Sequence, residues 1–194
     1  ENSIRLYERL KECGVSSRLT LIEDAYHADA LCFKPEIKDR ILAFMEENLS
    51  GSSSVKNTRE NVKLEADNHM VALASEVVYM QKPYWCNVTE RQLKLSIMRP
   101  RYNYPYDKKV SYPLLLFICG GAFQKMDRNV WMAELAWFAK RGYVVASAEH
   151  SILPYTEFPE QLEEIKTAIR FLRAHAEEFG IQKDKVIISG ESAG

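Results

Sequence analysis

The 194 residues lack an excess of either charge: 26 Lys and Arg stand against 27 Asp and Glu, a formal net charge of -1. With the basic residues scattered, nothing draws the chain as a whole to phosphate backbones or anionic lipid, and nucleic acid is not an expected partner. Cysteine is scarce. Cys13, Cys32, Cys86 and Cys119 show no C-x-x-C spacing and no His at ligand spacing, so neither a zinc centre nor a disulfide framework is supported. The expectation is four reduced, mostly buried thiols, which suits a cytoplasmic location. No apolar run approaches the roughly 20 residues that cross a bilayer, so no membrane span is expected. No basic-then-apolar leader is visible either, but the chain opens on Glu1 rather than Met, so this excludes no targeting signal.

What is present is a globular composition, 46% hydrophobic and 27% charged. Ile4, Leu6, Tyr7 and Leu10 recur at helical spacing, and Gly14 stands where a helix-terminating glycine would. A short apolar run, Leu19 to Ile22, follows. After a loop holding His27, Pro35 can open a second helix with Ile37, Ile41, Phe44 and Met45 on one face. Residues 50 to 61 carry almost no apolar side chains and read as a linker between a piece spanning 1–49 and another spanning 62–194.

In the second piece, Ser75 to Met80 and Leu93 to Met98 read as an opening strand pair. Leu114 to Ile118 is a continuous apolar run, typical of a strand covered on both faces. Val130 to Lys140 reads as a helix and Tyr143 to Ser147 as a buried strand. Leu162, Ile165, Ile169 and Leu172 trace the buried stripe of a long helix, and Val186 to Ile188 form the last buried strand. Such alternation predicts an α/β fold with a mostly parallel, doubly wound sheet, whose reactive site lies at the strand C-terminal ends.

Gly190-Glu191-Ser192-Ala193-Gly194 follows directly on that last strand, the context a nucleophile elbow requires. Such a turn strains the serine's backbone and needs small residues two before and two after it. Otherwise Ser192 is simply a glycine-flanked serine in a βα loop. A serine hydroxyl is a poor nucleophile by itself, so the chemistry also needs a base. Cys119-Gly120-Gly121-Ala122-Phe123 follows the central strand. There Gly121 can expose an N–H to a developing oxyanion, and the Ala193 N–H can supply a second donor.

Together these motifs give residues 112 to 194 a resemblance to the N-terminal half of an α/β-hydrolase of the esterase/lipase group, hormone-sensitive-lipase-like and carbohydrate-esterase-like members in particular. Arg141 to Val145 and the stretch from Phe158-Pro159-Glu160-Gln161 to Arg173 match as well. The family's His-Gly-Gly-Gly-Trp run has Cys119 for its His, Ala122 for its third Gly and Phe123 for its Trp. Ala122 keeps its N–H and so keeps the oxyanion role. Where the family often has Tyr-Arg after the fourth strand, this chain has His150-Ser151. Residues 1 to 49 resemble the other end of the same fold: Leu19 to Glu23 correspond to its last strand, and Ala25 to Asp29 to the loop carrying the catalytic histidine. The resemblance thus implies His27 as the general base.

The resemblance implies a carboxylic ester hydrolase acting on a small-molecule ester through Ser192 and an acyl-enzyme, without a cofactor. A prolyl-oligopeptidase-like serine peptidase and a non-catalytic hydrolase-fold binding domain are the alternatives. In this fold the triad runs serine, acid, histidine, whereas His27 precedes Ser192 and the acid is expected ahead of Glu1. The fold is therefore incomplete and in permuted order. The reading is a stretch of a tandem-domain protein, in which His27 and Ser192 serve different centres, with a circular permutant as the competing arrangement. These residues by themselves are expected to be inactive.

Overall fold

A computed structural model describes residues 2–15, 17–22, 34–49, 70–84, 89–101 and 110–194. The chain divides into two compact units, Glu1–Val55 and Lys56–Gly194. In the first, helix α1 spans Asn2–Glu12. Its end is a Schellman arrangement: Gly14 adopts φ +69°, its N–H donates to Lys11 O, and the Val15 N–H donates to Leu10 O. Helix α2, Pro35–Leu49, opens on proline as expected and buries Met45 and the stem of Lys38. Leu19 to Ile22 carry no strand: these residues join no ladder among those described, and Leu21 is exposed. An apolar run needs a partner edge to become a strand.

The second unit holds one five-stranded sheet in the order β1-β2-β4-β3-β5. The strands are β1 Met70–Tyr84, β2 Thr89–Arg101, β3 Tyr112–Ile118, β4 Val144–Ala148 and β5 Ile181–Gly190. The sheet is antiparallel across β1, β2 and β4, and parallel from the central strand onward, over β4-β3 and β3-β5. Helix α3, Met132–Ala139, follows β3. Helix α4, Glu160–Ala174, and the short α5, Ala176–Phe179, separate β4 from β5.

Alternate residues of the central strands point to opposite faces, which is why they read as unbroken apolar runs. Leu93 and Leu95 of β2, Leu114 and Leu116 of β3, and Val144 and Ala146 of β4 cluster with Ile165, Ala168 and Leu172 of α4. Leu115, Phe117 and Val145 are buried on the other face, where α3 packs against β4 and β2. Two details of the apolar pattern differ from expectation. Leu162 is 47% exposed, and the buried stripe of α4 instead includes Glu164. Val186 to Ile188 are not a buried strand, because β5 pairs only with β3 among the described residues and Ile188 is 55% exposed.

Charged side chains fasten the strand ends. Arg128, buried in the loop after β3, pairs with Glu149 just beyond β4 and with Glu76, and its Nε donates to Ser96 Oγ at 2.9 Å. Glu76 sits at a break in the β1-β2 register with φ +62°. There the bulge turns its carboxylate toward Arg128 and toward Lys94 Nζ at 2.6 Å.

Candidate active site

β3 and β5 run parallel and in register to their C-terminal ends, Ile118 facing Gly190. The two motifs that follow them are therefore side by side. Beyond β5 the chain reverses within four residues: the Gly194 N–H donates to Glu191 O at 2.9 Å and the Glu191 N–H to Ile118 O at 3.2 Å. Ser192, at the apex, adopts φ +58°, a left-handed conformation that costs a non-glycine residue roughly 1–2 kcal/mol. Its glycine neighbours are demanded by close approach. A Cβ built on Gly190 would lie 2.5 Å from the Gly194 carbonyl carbon, and one on Gly194 would lie 2.0 Å from Ile118 O.

The loop after β3 is strained too. Ala122 and Phe123 adopt φ +52° and +59°, and Gly121 has φ +149° with its carbonyl accepting the N–H groups of Gln124 and Lys125. The Gly120 N–H donates to Glu191 Oε2 at 3.1 Å. Cys119 is buried, and its thiol donates to Gly120 O at 3.4 Å. Burial first, then the nearby Glu191 carboxylate, pushes this thiol above its usual pKa, so it stays protonated at neutral pH. Cys13, by contrast, is exposed. Gly120, Gly121, Ala122, Trp131, Glu191 and Ser192 line a cavity of about 440 Å³. Among the described residues, no main-chain acceptor takes the N–H of Gly121, Ala122 or Ala193.

A second, apolar cavity of about 420 Å³ adjoins the elbow at Ala193 and Gly194, walled by Ile118, Phe123, Leu153 and Ile165. His150 lines it and is 3% exposed. Its Nδ1 lies 2.8 Å from Ser151 O, so Nδ1 carries the proton. Ser151, which stands where an arginine was expected, donates its N–H and hydroxyl to the buried Glu164 at 2.7 and 2.6 Å. The cation comes instead from β1, where Lys82 Nζ sits 2.5 Å from Glu164. Sequence reasoning missed this triad of Lys82, Ser151 and Glu164. Its one signal was an acidic residue inside the apolar stripe of α4.

Ser192, Gly121 and Ala122 thus border one cavity and Ala193 the next. His27 lies outside the described residues, as do His69, Tyr102, Tyr104 and Tyr106. Tyr155 is half exposed, and His175 stacks on Phe171 at 4.1 Å as part of the helix packing. Among the described residues no helix is long and apolar enough to cross a membrane.

The fold has counterparts among solved structures. Esterase B from Lactobacillus rhamnosis HN001 superposes with a TM-score of 0.52 at 21% identity, over 82% of this chain and 44% of its own. The fold is that of the α/β-hydrolases. The BD-FAE family model matches residues 102–194. Esterase LipC of Mycobacterium tuberculosis is 32% identical over 83 residues, which are 42% of this chain and 21% of LipC. The thermophilic esterase Est2 of Thermogutta terrifontis is 27% identical with a TM-score of 0.50, over 65% of this chain and 41% of its own. Est2 has also been solved phosphoramylated by tabun, and that form is 28% identical with a TM-score of 0.50, over 60% of this chain and 42% of its own. The chain spans about a fifth of LipC and less than half of these structures.

Proposed function

We propose that Ser192 is the nucleophile of a carboxylic ester hydrolase that works through an acyl-enzyme. The observation that carries this reading is the left-handed backbone of Ser192 at the tip of β5, between two glycines that cannot be replaced without collision. Strain of this kind persists where function needs a side chain held clear of the sheet. The Ser192 hydroxyl attacks the ester carbonyl while a histidine base takes its proton. The oxyanion that forms is held by the N–H groups of Gly121, Ala122 and Ala193, and the alcohol leaves with the proton from the histidine. Water, activated by the same base, then releases the acid and restores the serine. By its motif His27 is suited to be a base of this type, in a centre separate from that of Ser192. No step requires a metal or cofactor.

Est2, a relative of similar fold, is modified by an organophosphorus agent. This supports using a fluorophosphonate as the probe here. In the full-length protein the probe is expected to label the peptide containing Ser192, and Ser192→Ala is expected to abolish both that label and ester hydrolysis. An unlabelled, inactive wild type would instead favour a binding domain built on a hydrolase fold, and an unchanged Ser192→Ala variant would remove Ser192 from the mechanism.

A further inference from the structure

Gly120 is the point at which the loop after β3 touches the elbow. A Cβ built there would lie 2.5 Å from Glu191 O and 2.6 Å from the Cβ of Ser192. Both polar atoms of this residue are engaged, its N–H by Glu191 Oε2 and its carbonyl by the Cys119 thiol. Just beyond it begins the run of left-handed backbone at Ala122 and Phe123. A strained segment keeps its shape only where its surroundings hold it. The Gln124 and Lys125 bonds to Gly121 O tie the loop to itself and not to the serine.

We propose that Glu191 is a positioning residue, whose carboxylate fixes the Gly120 peptide and so aims the Gly121 and Ala122 amides at the oxyanion that forms beside Ser192. This rests on the reading of Ser192 as nucleophile. Removing the carboxylate leaves the Gly120 N–H without its acceptor and unties the loop from the elbow. A negative charge next to a developing oxyanion is itself unfavourable, so the useful property of Glu191 is its acceptor oxygen and not its charge. Gln therefore substitutes for it and Ala does not.

The test is steady-state hydrolysis of p-nitrophenyl acetate by the full-length protein. Glu191→Ala is expected to lower kcat by roughly ten- to a hundredfold, since a misplacement of about 1 Å can cost on the order of a hundredfold, while KM stays within about threefold. Glu191→Gln is expected to keep kcat within about threefold of wild type, because its amide oxygen still accepts from Gly120. A kcat for Glu191→Ala within twofold of wild type overturns the proposal. So does a Glu191→Gln variant as slow as Glu191→Ala, or a loss confined to KM. If Glu191→Ala fails to fold, Glu191→Asp withdraws the acceptor by one methylene and should also lose kcat; wild-type kcat in that variant overturns the proposal equally. An inactive Ser192→Ala beside an unimpaired Glu191→Ala sinks the positioning role alone. A fully active Ser192→Ala sinks the nucleophile and this role with it.

Discussion

Tyr79 places a hydroxyl among carboxylates. Its ring belongs to the core cluster and its O–H donates to the Glu149 carbonyl. Burial first, then the Glu164 and Glu149 carboxylates, push the phenol well above its ordinary value. In the unfolded chain a tyrosine ionises near pH 10, so above that pH the unfolded state sheds a proton that the folded state retains. The contribution is therefore fully present below about pH 10 and is lost as pH rises further. Unfolding free energies from urea titrations between about pH 9 and 11 should fall less steeply for Tyr79→Phe than for wild type. Equal slopes would show that Tyr79 does not carry the effect. At this scale the sequence was legible only where spacing encodes backbone. Gly190, Ser192 and Gly194 announce their turn, whereas Glu191 and Glu164 give no such notice. Their partners Gly120 and Lys82 lie far away along the chain, and nothing local signals the pairing.

Among elements, the junction of β3 with the elbow tolerates the least change. Gly194→Ala would drive a methyl group into Ile118 O, which is backbone and cannot step aside. It is expected to cost roughly 2–4 kcal/mol of stability in a denaturant titration of the full-length protein. A loss below about 0.5 kcal/mol, the range of innocuous surface changes, would mean that the turn has room to move. The buried central strands were readable because two covered faces demand unbroken apolar runs, as in Leu114 to Phe117. β5 looked the same in sequence and is not, since Val186 to Ile188 cannot disclose that their strand lies at an edge of the described sheet. Leu19 to Ile22 fail for the converse reason. A four-residue run with Thr20 inside it is too short to specify a strand when, among the described residues, no strand edge pairs with it.

At the scale of the molecule, the remaining question is whether the histidine of the first unit works for the serine of the second. The inverted order of the two motifs leads us to propose separate centres. Fluorophosphonate labelling of Ser192 in full-length His27→Ala should then match wild type, because the serine's base is another histidine. Labelling that falls together with His27 would establish the permuted arrangement instead. The fold of the second unit was legible through its alternating elements and the two glycine motifs. The ion pairs of the buried Arg128 with Glu149 and Glu76 were not, since their members come from three separate segments.

The pairing of β3 with β5 also has a meaning in time. Ile118 and Gly190 face one another across some seventy residues of intervening chain, all of which must be made and folded back before the ladder can close. Contacts of such long separation form late, because the entropy of closing the loop is lost before the contact rewards it. The strained serine turn and the glycine loop beside it come into being together, when the last strand docks. On the ribosome, a chain that has emerged only as far as β4 is still without its serine turn.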